Sequence, residues 1–343
     1  MAGIAVEMVA SGGKTTVERS NLSGFANFPM SRAKRSAVIR DPGTYRFRVL
    51  PPPGWAVTSG NGTQNVTFQS LPGAPADLIA ANPTSPVGLA PELAIAGRVR
   101  LAATGGATVP AVAARAWVIG PTDARIEVPL AADGSFRIAA SPGTWTLAAA
   151  APGGTPRVER RVTVRDAPMR VAALVLGSGA GAPAPEPERA AATVDFESVT
   201  GTPVAKIPNG FAGLEWNYLN AIEAVWANGD GYVNTVTSGH YVGYSSSGHP
   251  VTISRPGGFD FLGAYFGAAL PAAEGETLRI TAFRDGAKVA EEEFPLSCHG
   301  PVWFDASYLG IDRLVLATLH YWQFAVDDLA LAVPSAPAAR TRE

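Results

Sequence analysis

Short runs of alternating apolar and polar residues recur along the chain. In Tyr45–Leu50, YRFRVL, residues Tyr45, Phe47 and Val49 share one face, which is the period of two of a half-buried strand. Residues 193–333 contain nine further strand-sized runs, most of them separated by Gly, Pro, Asn or Asp. These are Thr193–Ser198, Tyr241–Ser245, Val251–Arg255, Phe259–Ala268, Thr277–Arg284, Lys288–Pro295, Pro301–Asp305, Arg313–Ala317 and Gln323–Ala332. A turn or two of helix is expected at Leu219–Trp226. The pattern predicts an all-β protein built from sandwiches and a jelly roll.

Proline, glycine and alanine are concentrated in residues 71–91 and 177–192. This composition is typical of extended linkers. We therefore expect three blocks in a beads-on-a-string arrangement. The predicted division is 1–70, a linker at 71–91, 92–176, a linker at 177–192, 193–333, and a tail at 334–343.

The first two blocks repeat each other at a spacing of one hundred residues. Asp41–Gly54 reads DPGTYRFRVLPPPG and Ser141–Gly154 reads SPGTWTLAAAAPGG. Upstream, GFANF at Gly24–Phe28 matches DGSFRI at Asp133–Ile138. In each repeat a glycine turn precedes a strand, and a Pro-Gly turn precedes the next strand.

These motifs resemble two related kinds of small sandwich. GRV, VAARAWV, DGSFRI and PGTWTL within residues 94–150 resemble the carboxypeptidase regulatory-like, transthyretin-like β-sandwich. PPPGWAVTSGN at Pro51–Asn61 is similar to the B-type, Ig-like repeat of bacterial surface adhesins. The resemblance implies two spacer domains.

The first block begins where the second block already has a strand behind it. Ala2 aligns with Ala111, so the counterpart of Ile95–Leu101 would precede Met1, and MAGIAVEMVASGGK lacks the features of a signal peptide. We expect either a missing N-terminal piece or a sheet edge completed by self-assembly or by a protein partner.

The third block resembles a family of secreted β-sandwich modules with a galactose-binding-like jelly roll. The resemblance rests on the ordered motifs IPNGFAGLEWNYL, SGHYVGYSSSGHP, FDFLGAYFGAA, LRITAFRDGAKV, GIDRLVL and FAVDDLAL. It implies glycan binding by residues 193–333.

Charge and cysteine content narrow the function. The formal net charge is −2, without a basic run of five residues, so no nucleic-acid partner is expected. No apolar run approaches the roughly 18 residues of a membrane span. Cys298 is the one cysteine, so an internal disulfide is excluded.

The stretch LEWNYLN supplies most of the predicted glycan-binding residues. A sugar needs an aromatic plane for its apolar face and amides for its hydroxyls. The predicted set is Trp216, Asn217, Tyr218, Asn220 and Tyr241. The alternative is a core tryptophan flanked by amides that cap turns.

Acidic residues form a second candidate site. Asp195 and Glu197 lie in the first strand of the block and Asp327 and Asp328 in the last, and these strands commonly pair in jelly rolls. Together with Asp230 of the NGDGY loop, the carboxylates predict a structural calcium ion, because like charges at close range need a cation. The alternatives are carboxylates facing water, or the acid pair of a glycosidase.

Ser238–Pro250, SGHYVGYSSSGHP, is predicted to be mainly a strand between glycine turns. His240 and His249 would bind zinc only with a third ligand such as His299 or His320. Catalysis by a serine nucleophile is not expected, because the stretch has neither a flanking acid nor a G-x-S-x-G motif.

The sequence as a whole favours a non-enzymatic, extracellular or cell-surface adhesive protein that binds a glycan or surface polysaccharide. The alternatives are a spike or fibre component of an extracellular assembly or virus-like particle, and an accessory part of a secreted glycan-active enzyme.

Overall fold

The computed structural model describes residues 1–103, 108–177, 189–227 and 229–334. More than half of the chain is in strands, so the prediction of an all-β, sandwich-type fold is confirmed. The chain forms two compact units, Met1–Glu92 and Leu93–Glu343. No helix in the described ranges has the length and apolarity to cross a membrane.

The first unit is one antiparallel sheet with an added two-stranded ribbon. Its strands are β1 (Ala5–Val9), β2 (Thr15–Arg19), β3 (Gly43–Leu50), β4 (Trp55–Ser59), β5 (Thr63–Leu71), β6 (Ala74–Ala80) and β7 (Gly88–Pro91). The sheet order is β2-β1-β3-β5-β6, and β4 pairs with β7. Residues 71–91, predicted to be a linker, therefore contain β6 and β7. Leu78 of β6 is buried in the core of this unit.

The second unit begins with a complete sandwich. Its strands are β8 (Ala94–Ala102), β9 (Thr108–Pro110), β10 (Arg115–Ile119), β11 (Arg125–Val128), β12 (Ser135–Ala139), β13 (Gly143–Ala150), β14 (Arg157–Val164), β15 (Met169–Val171) and β16 (Leu174–Leu176). One layer has the order β11-β10-β13-β14, and the other is built around β8, with β12, β15 and β16 as neighbours. Both layers pack on a core that includes Trp145 and Phe136.

The remaining elements form the largest sandwich. Its strands are β17 (Arg189–Val194), β18 (Val204–Lys206), β19 (Glu215–Asn217), β20 (Leu219–Glu223), β21 (Tyr241–Ser245), β22 (Val251–Ala268), β23 (Thr277–Arg284), β24 (Ala287–Pro295), β25 (Val302–Thr318) and β26 (Phe324–Pro334). The α-helix α1 covers Asp230–Thr235, and 3-10 turns cover Phe211–Gly213, Ala224–Ala227, Ser246–Gly248 and Pro271–Ala273. The pairing of β22 with β25 and β26 shifts register at several bulges, and such bulges let long strands bend around a core.

The repeat seen in the sequence is also a repeat in structure. The order β2-β1-β3-β5 in the first unit matches β11-β10-β13-β14 in the second. Tyr45 and Trp145 are both buried, and each donates a hydrogen bond to the carbonyl four residues earlier. Tyr45 Oη donates to Asp41 O at 2.9 Å, and Trp145 Nε1 donates to Ser141 O at 3.0 Å. The matched aromatic residues therefore have the same structural role in the two repeats.

The two repeats differ in their second layer. DGSFRI contains β12, which pairs with β8, whereas GFANF contributes only an isolated bridge between Ser20 and Ala26. Within residues 1–92, which are all described, no strand corresponds to β8. GFANF consequently lacks the neighbour that would extend it into a strand.

The second and third blocks share one sheet instead of standing apart as beads. β15 pairs in parallel with β8 and with β25, where Met169 lies opposite Trp303. Most of the predicted linker, residues 178–188, lies outside the described residues, while β17 pairs with β26. The last pairing is the one expected between the first and last strands of the block.

Polar contacts reinforce this shared sheet. Arg160 donates to the carbonyls of Ala172 and Ala306 at 3.2 and 3.1 Å, and lies 3.6 Å from Asp305. The backbone N–H of Ala173 donates to Glu292 at 2.8 Å. Arg160 and Glu292 therefore tie the middle sandwich to the C-terminal one.

Leu219–Trp226, expected to be a short helix, is β20 followed by a 3-10 turn. β20 pairs with both β18 and β21. Leu219, Ala221 and Ile222 are buried in these contacts, and tertiary pairing of this kind overrides a weak helical preference.

Candidate functional site

Three loops meet at one end of the C-terminal sandwich. The first joins β19 to β20 at Tyr218, the second joins β21 to β22 at residues 246–250, and the third joins β25 to β26 at residues 319–323. Strand register brings them together, because Leu219 pairs with Ser245 and Tyr244 pairs with Ala325. Each loop exposes at least one aromatic side chain.

Direct contacts link the three loops. The Tyr218 ring packs against the His249 ring with centroids 4.8 Å apart, and Ser246 N donates to Tyr218 O at 2.8 Å. The backbone of Gly248 lies against the carbonyl of Tyr321 so closely that a Cβ would not fit. We call Tyr218, His249, Tyr321 and Trp322 the aromatic rim.

The aromatic rim is accessible to solvent. Tyr321 is 67% exposed, Tyr218 47% and Trp322 38%. Exposed polar side chains lie near these rings in sequence, because Asn217 precedes Tyr218 and Ser247 is two residues before His249. Exposed rings near hydroxyl and amide groups are what the predicted glycan site requires, and glycan binding stays a prediction.

Buried polar groups hold the third loop in place. Thr318 Oγ1 donates to Trp322 O at 2.7 Å and closes the loop. The buried carboxylate of Glu276 accepts the N–H of Leu319 at 3.2 Å and lies 3.1 Å from Nδ1 of His320. The loop is thus fixed in advance of any ligand, which lowers the entropic cost of binding.

Two rim residues have an uncommon backbone conformation. Tyr218 and Tyr321 both have φ of 60°, in the left-handed region that residues with a Cβ seldom adopt. Such residues cost roughly 1–3 kcal/mol each, persist only where surrounding contacts impose them, and are concentrated at functional sites. Both residues lie between two strands, and both side chains are exposed.

Trp216 is a core residue, which corrects its interpretation as a stacking residue. It is 2% exposed, and its Nε1 donates to Phe211 O at 2.8 Å. β19 pairs with β22, and this directs the indole into the main core. A ring in this position has no face available to a sugar.

The other predicted glycan residues are divided between two places. Asn217 and Tyr218 are exposed at the rim, and the side-chain amide of Asn220 donates to Tyr244 Oη at 3.3 Å. Tyr241 lies opposite Glu223, at the far end of β20 and β21 from Tyr218, and its hydroxyl donates to Thr202 O at 3.2 Å. Tyr241 therefore belongs to a different surface.

The carboxylates predicted to bind calcium hold the loop before β21. Asp327 accepts the N–H groups of Thr237 and Ser238 at 2.7 and 3.0 Å. Asp328 accepts the Ser238 hydroxyl at 2.7 Å, and Glu197 accepts the N–H groups of residues 240 and 241 at 2.7 Å each. These acids satisfy backbone and hydroxyl donors that would otherwise need other partners.

Asp195 and Asp230 lie apart from that pattern. Asp195 accepts the N–H of Glu197 at 3.2 Å. Asp230 is the first residue of α1, where the sequence predicted a loop. In the part of the chain that the structure describes, no three of the five acids bring one carboxylate oxygen each to within 4.8 Å of one another, so calcium binding stays a prediction.

Burial raises the pKa of Asp327 to about 6, although the hydrogen bonds that its carboxylate accepts from backbone N–H groups lower the pKa. Because the folded pKa exceeds the unfolded value of 3.8, this group stabilises the fold fully below about pH 4, and the contribution is lost as pH rises through 6. We expect the wild-type free energy of unfolding to fall by up to about 3 kcal/mol from this source between pH 4 and pH 7.

Asp327→Asn is the matched variant for this effect, since it cannot titrate. The difference in unfolding free energy between wild type and D327N, measured by urea denaturation, should vary with pH over that interval. A difference independent of pH would contradict the raised pKa.

The predicted zinc alternative does not assemble around the histidines of SGHYVGYSSSGHP. His240 and His249 lie at opposite ends of β21, and His249 packs on Tyr218. His320 lies beside Glu276, and His299 beside Glu274. β21 itself has the predicted bounds.

His249, Tyr321 and Trp322 were not among the residues predicted for the glycan site. A signal for Tyr321 and Trp322 exists in HYWQ at His320–Gln323. Four consecutive large side chains cannot all lie on the buried face of a strand with a period of two. Such a run indicates a loop that must expose some of its rings.

No protein-family model matches the sequence, and no curated protein is similar to it at a significant level. Among solved structures, a DUF3823 family protein from Bacteroides ovatus is 11% identical, covering 71% of this chain and 99% of its own, with a TM-score of 0.20. A DUF3823 family protein from Parabacteroides merdae is 14% identical over 71% and 97%, with a TM-score of 0.18. A carbohydrate-binding module of the β-sandwich superfamily is 9% identical over 85% and 90%, with a TM-score of 0.15. At these TM-scores the similarity supports no argument about function.

Proposed function

We propose that the protein is a non-enzymatic glycan-binding protein and that the aromatic rim is its binding surface. The observation that carries this proposal is the convergence of three loops, which brings exposed Tyr218 and Tyr321 to the same end of the sandwich. Both residues keep a left-handed backbone conformation. Aromatic faces beside exposed Asn217 and Ser247 match the mixed apolar and polar surface of a sugar ring.

The proposal differs from the sequence interpretation in which residues make the contact. Trp216 is part of the core, and the exposed ring of Tyr321 provides the stacking surface that the sequence had suggested for Trp216. The two repeats, which resemble the carboxypeptidase regulatory-like and adhesin types, would present the C-terminal sandwich at a cell surface or outside the cell. Polysaccharides of the kind that such a rim suits are found there.

The acidic residues favour binding over catalysis. A glycosidase needs two carboxyl groups free to act on the glycosidic bond. Asp327, Asp328 and Glu197 instead accept hydrogen bonds from the loop before β21.

The experiment is a glycan array with the full-length chain, followed by titration of three variants against the best ligand. Tyr218→Ala and Tyr321→Ala should each lower affinity about tenfold, or about 1.4 kcal/mol, because each removes one stacking face. Their melting temperatures should stay close to that of the wild type, since both rings are exposed.

Trp226→Ala is the matched control, because Trp226 is 60% exposed and follows the far end of β20. W226A should bind like the wild type. Absence of any glycan ligand on the array, or an equal loss of affinity in W226A, would count against the aromatic rim.

A role in an extracellular assembly is the second candidate, and the first unit favours it. Phe25 is 71% exposed and Met30 50% exposed, and both line an apolar groove with Phe47 and Leu89. Exposed apolar surfaces of this kind mark interaction sites. A sedimentation mass of a closed oligomer or a fibre would favour assembly, and a monomer that binds glycan would favour the first candidate.

A further inference from the structure

Three side chains of different chemistry converge beside the N-terminal end of β23. They are Glu274, which follows the 3-10 turn Pro271–Ala273, and the neighbouring Cys298 and His299 of the loop between β24 and β25. Their ligand atoms all lie within 4.8 Å of one another, and no other group of three acidic, cysteine or histidine residues meets this criterion among the described residues. None of the three belongs to the aromatic rim.

We propose that Glu274, Cys298 and His299 form a zinc site with three protein ligands and a fourth position for water. Thiolate, imidazole and carboxylate are the donors that zinc takes in proteins. The site is independent of the glycan-binding proposal.

The spacing of the donors fits a tetrahedral ion. With zinc bonds of about 2.3 Å to sulfur and about 2.0–2.2 Å to nitrogen and oxygen, tetrahedral angles require edges of about 3.6 Å for S to N and about 3.4 Å for N to O. The observed distances are 3.6 Å from Cys298 Sγ to His299 Nδ1 and 3.4 Å from His299 Nδ1 to Glu274 Oε2. These two edges agree with a tetrahedral zinc ion, and the third pair, Cys298 Sγ and a Glu274 carboxylate oxygen, lies within 4.8 Å.

Neighbouring groups fix the ligands in orientation. Glu274 Oε2 accepts the N–H of Cys298 at 2.7 Å and the hydroxyl of Ser297 at 3.2 Å. The side-chain amide of Asn234 on α1 donates to the carbonyl of Cys298 at 2.9 Å. Partners of this kind hold metal ligands in place and strengthen binding.

The burial of the three groups suits an ion that enters from solvent. Cys298 is buried, the side chain of His299 is 13% exposed and that of Glu274 is 42% exposed. An ion would enter past Glu274 and form the zinc–sulfur bond as the Cys298 proton leaves to solvent. The buried thiolate would remain shielded from other reagents.

The chain also contains a matched control for this chemistry. His320 and Glu276 form a second histidine–glutamate pair, with Nδ1 3.1 Å from Oε2. Among the described residues, no cysteine lies beside this pair. If a contact between histidine and glutamate were enough, zinc would bind at both pairs. If the Cys298 thiolate is also required, zinc binds only at the pair beside Cys298.

The experiment titrates the full-length chain, stripped of metal by a chelator, with Co²⁺ and then with Zn²⁺. We expect a saturable thiolate-to-cobalt charge-transfer absorption at one ion per chain, and displacement of Co²⁺ by Zn²⁺. Cys298→Ser should abolish the band, and His299→Asn and Glu274→Gln should each lower zinc affinity at least a hundredfold, since even outer-shell partners are worth 10–100-fold. His320→Asn should bind zinc like the wild type.

The absence of a charge-transfer band in the wild type, unchanged affinity in E274Q, or an equal loss in H320N would overturn the proposal. Circular dichroism of each metal-free variant checks its fold. If the C298S variant does not fold, E274Q decides the test, because a substitution at the partly exposed Glu274 side chain should disturb the fold little.

Discussion

Replacing Trp216 by alanine is expected to lower the free energy of unfolding of the second unit by about 3–5 kcal/mol, the usual cost of truncating a buried tryptophan. The indole is 2% exposed and lies in the main core. The variant also leaves Phe211 O without the hydrogen bond that it accepts from Nε1 at 2.8 Å. Guanidinium denaturation followed by circular dichroism measures the loss.

Two further variants separate the contributions. Trp216→Phe keeps most of the apolar area and removes the donor, so it should cost about 1–3 kcal/mol. Trp226→Ala removes an indole that is 60% exposed and should change stability by no more than about 0.5 kcal/mol. If W216A were as stable as W226A, Trp216 would be a surface residue, as the glycan interpretation of LEWNYLN assumed.

The period of two in LEWNYLN could not identify which ring is exposed. In a regular strand Trp216 and Tyr218 would face the same side. The left-handed backbone at Tyr218 separates β19 from β20, and Tyr218 is exposed while Trp216 is buried. Tyrosine has little preference for this conformation, so local sequence gives no indication of it.

Local signals predicted the strands well where alternation and glycine turns agreed. β21 and β23 have the predicted bounds, and the predicted runs at 251–255 and 259–268 are parts of the single long strand β22. The hundred-residue repeat also aligned Tyr45 with Trp145, and the two residues have the same structural role. These features depend on neighbours within a few residues, which a single sequence does contain.

The fusion of the middle and C-terminal blocks depends on a distant contact. β15 has three residues, and its partners β8 and β25 lie about 75 residues before it and about 130 residues after it. The pairing partners of so short a strand cannot be predicted from the local sequence, because parallel pairing is determined by the surrounding packing. The proline-rich composition of 177–192 therefore suggested an independence that the shared sheet does not have.

The aromatic rim was hidden for a related reason. Its residues come from three loops separated by up to about a hundred positions, and only the pairing of β20, β21 and β26 brings them together. The sequence predicted glycan chemistry from aromatic content, and the structure changes which rings are available for it. The zinc site has the same origin, since Glu274 joins Cys298 and His299 through the fold.

The second large effect is expected at Gly248, where Gly248→Ala should destabilise the second unit by about 2–5 kcal/mol and lower the proposed glycan affinity at least tenfold. Gly248 has φ of 72°, which costs alanine about 1–2 kcal/mol. Its Cβ would also overlap the carbonyl of Tyr321, and crowding of this kind costs a further 1–3 kcal/mol. The overlap would push the third loop away from the second and separate Tyr321 from Tyr218 and His249.

Gly257→Ala is the matched control for the Gly248 variant. Gly257 has φ of 84°, and a Cβ there would meet no atom within 4 Å, so G257A includes the backbone cost without the overlap. We expect G257A to lose only about 1–2 kcal/mol and to keep full glycan affinity, measured by thermal unfolding and by titration. Equal behaviour of the two variants would mean that the contact between Gly248 and Tyr321 does not hold the aromatic rim together.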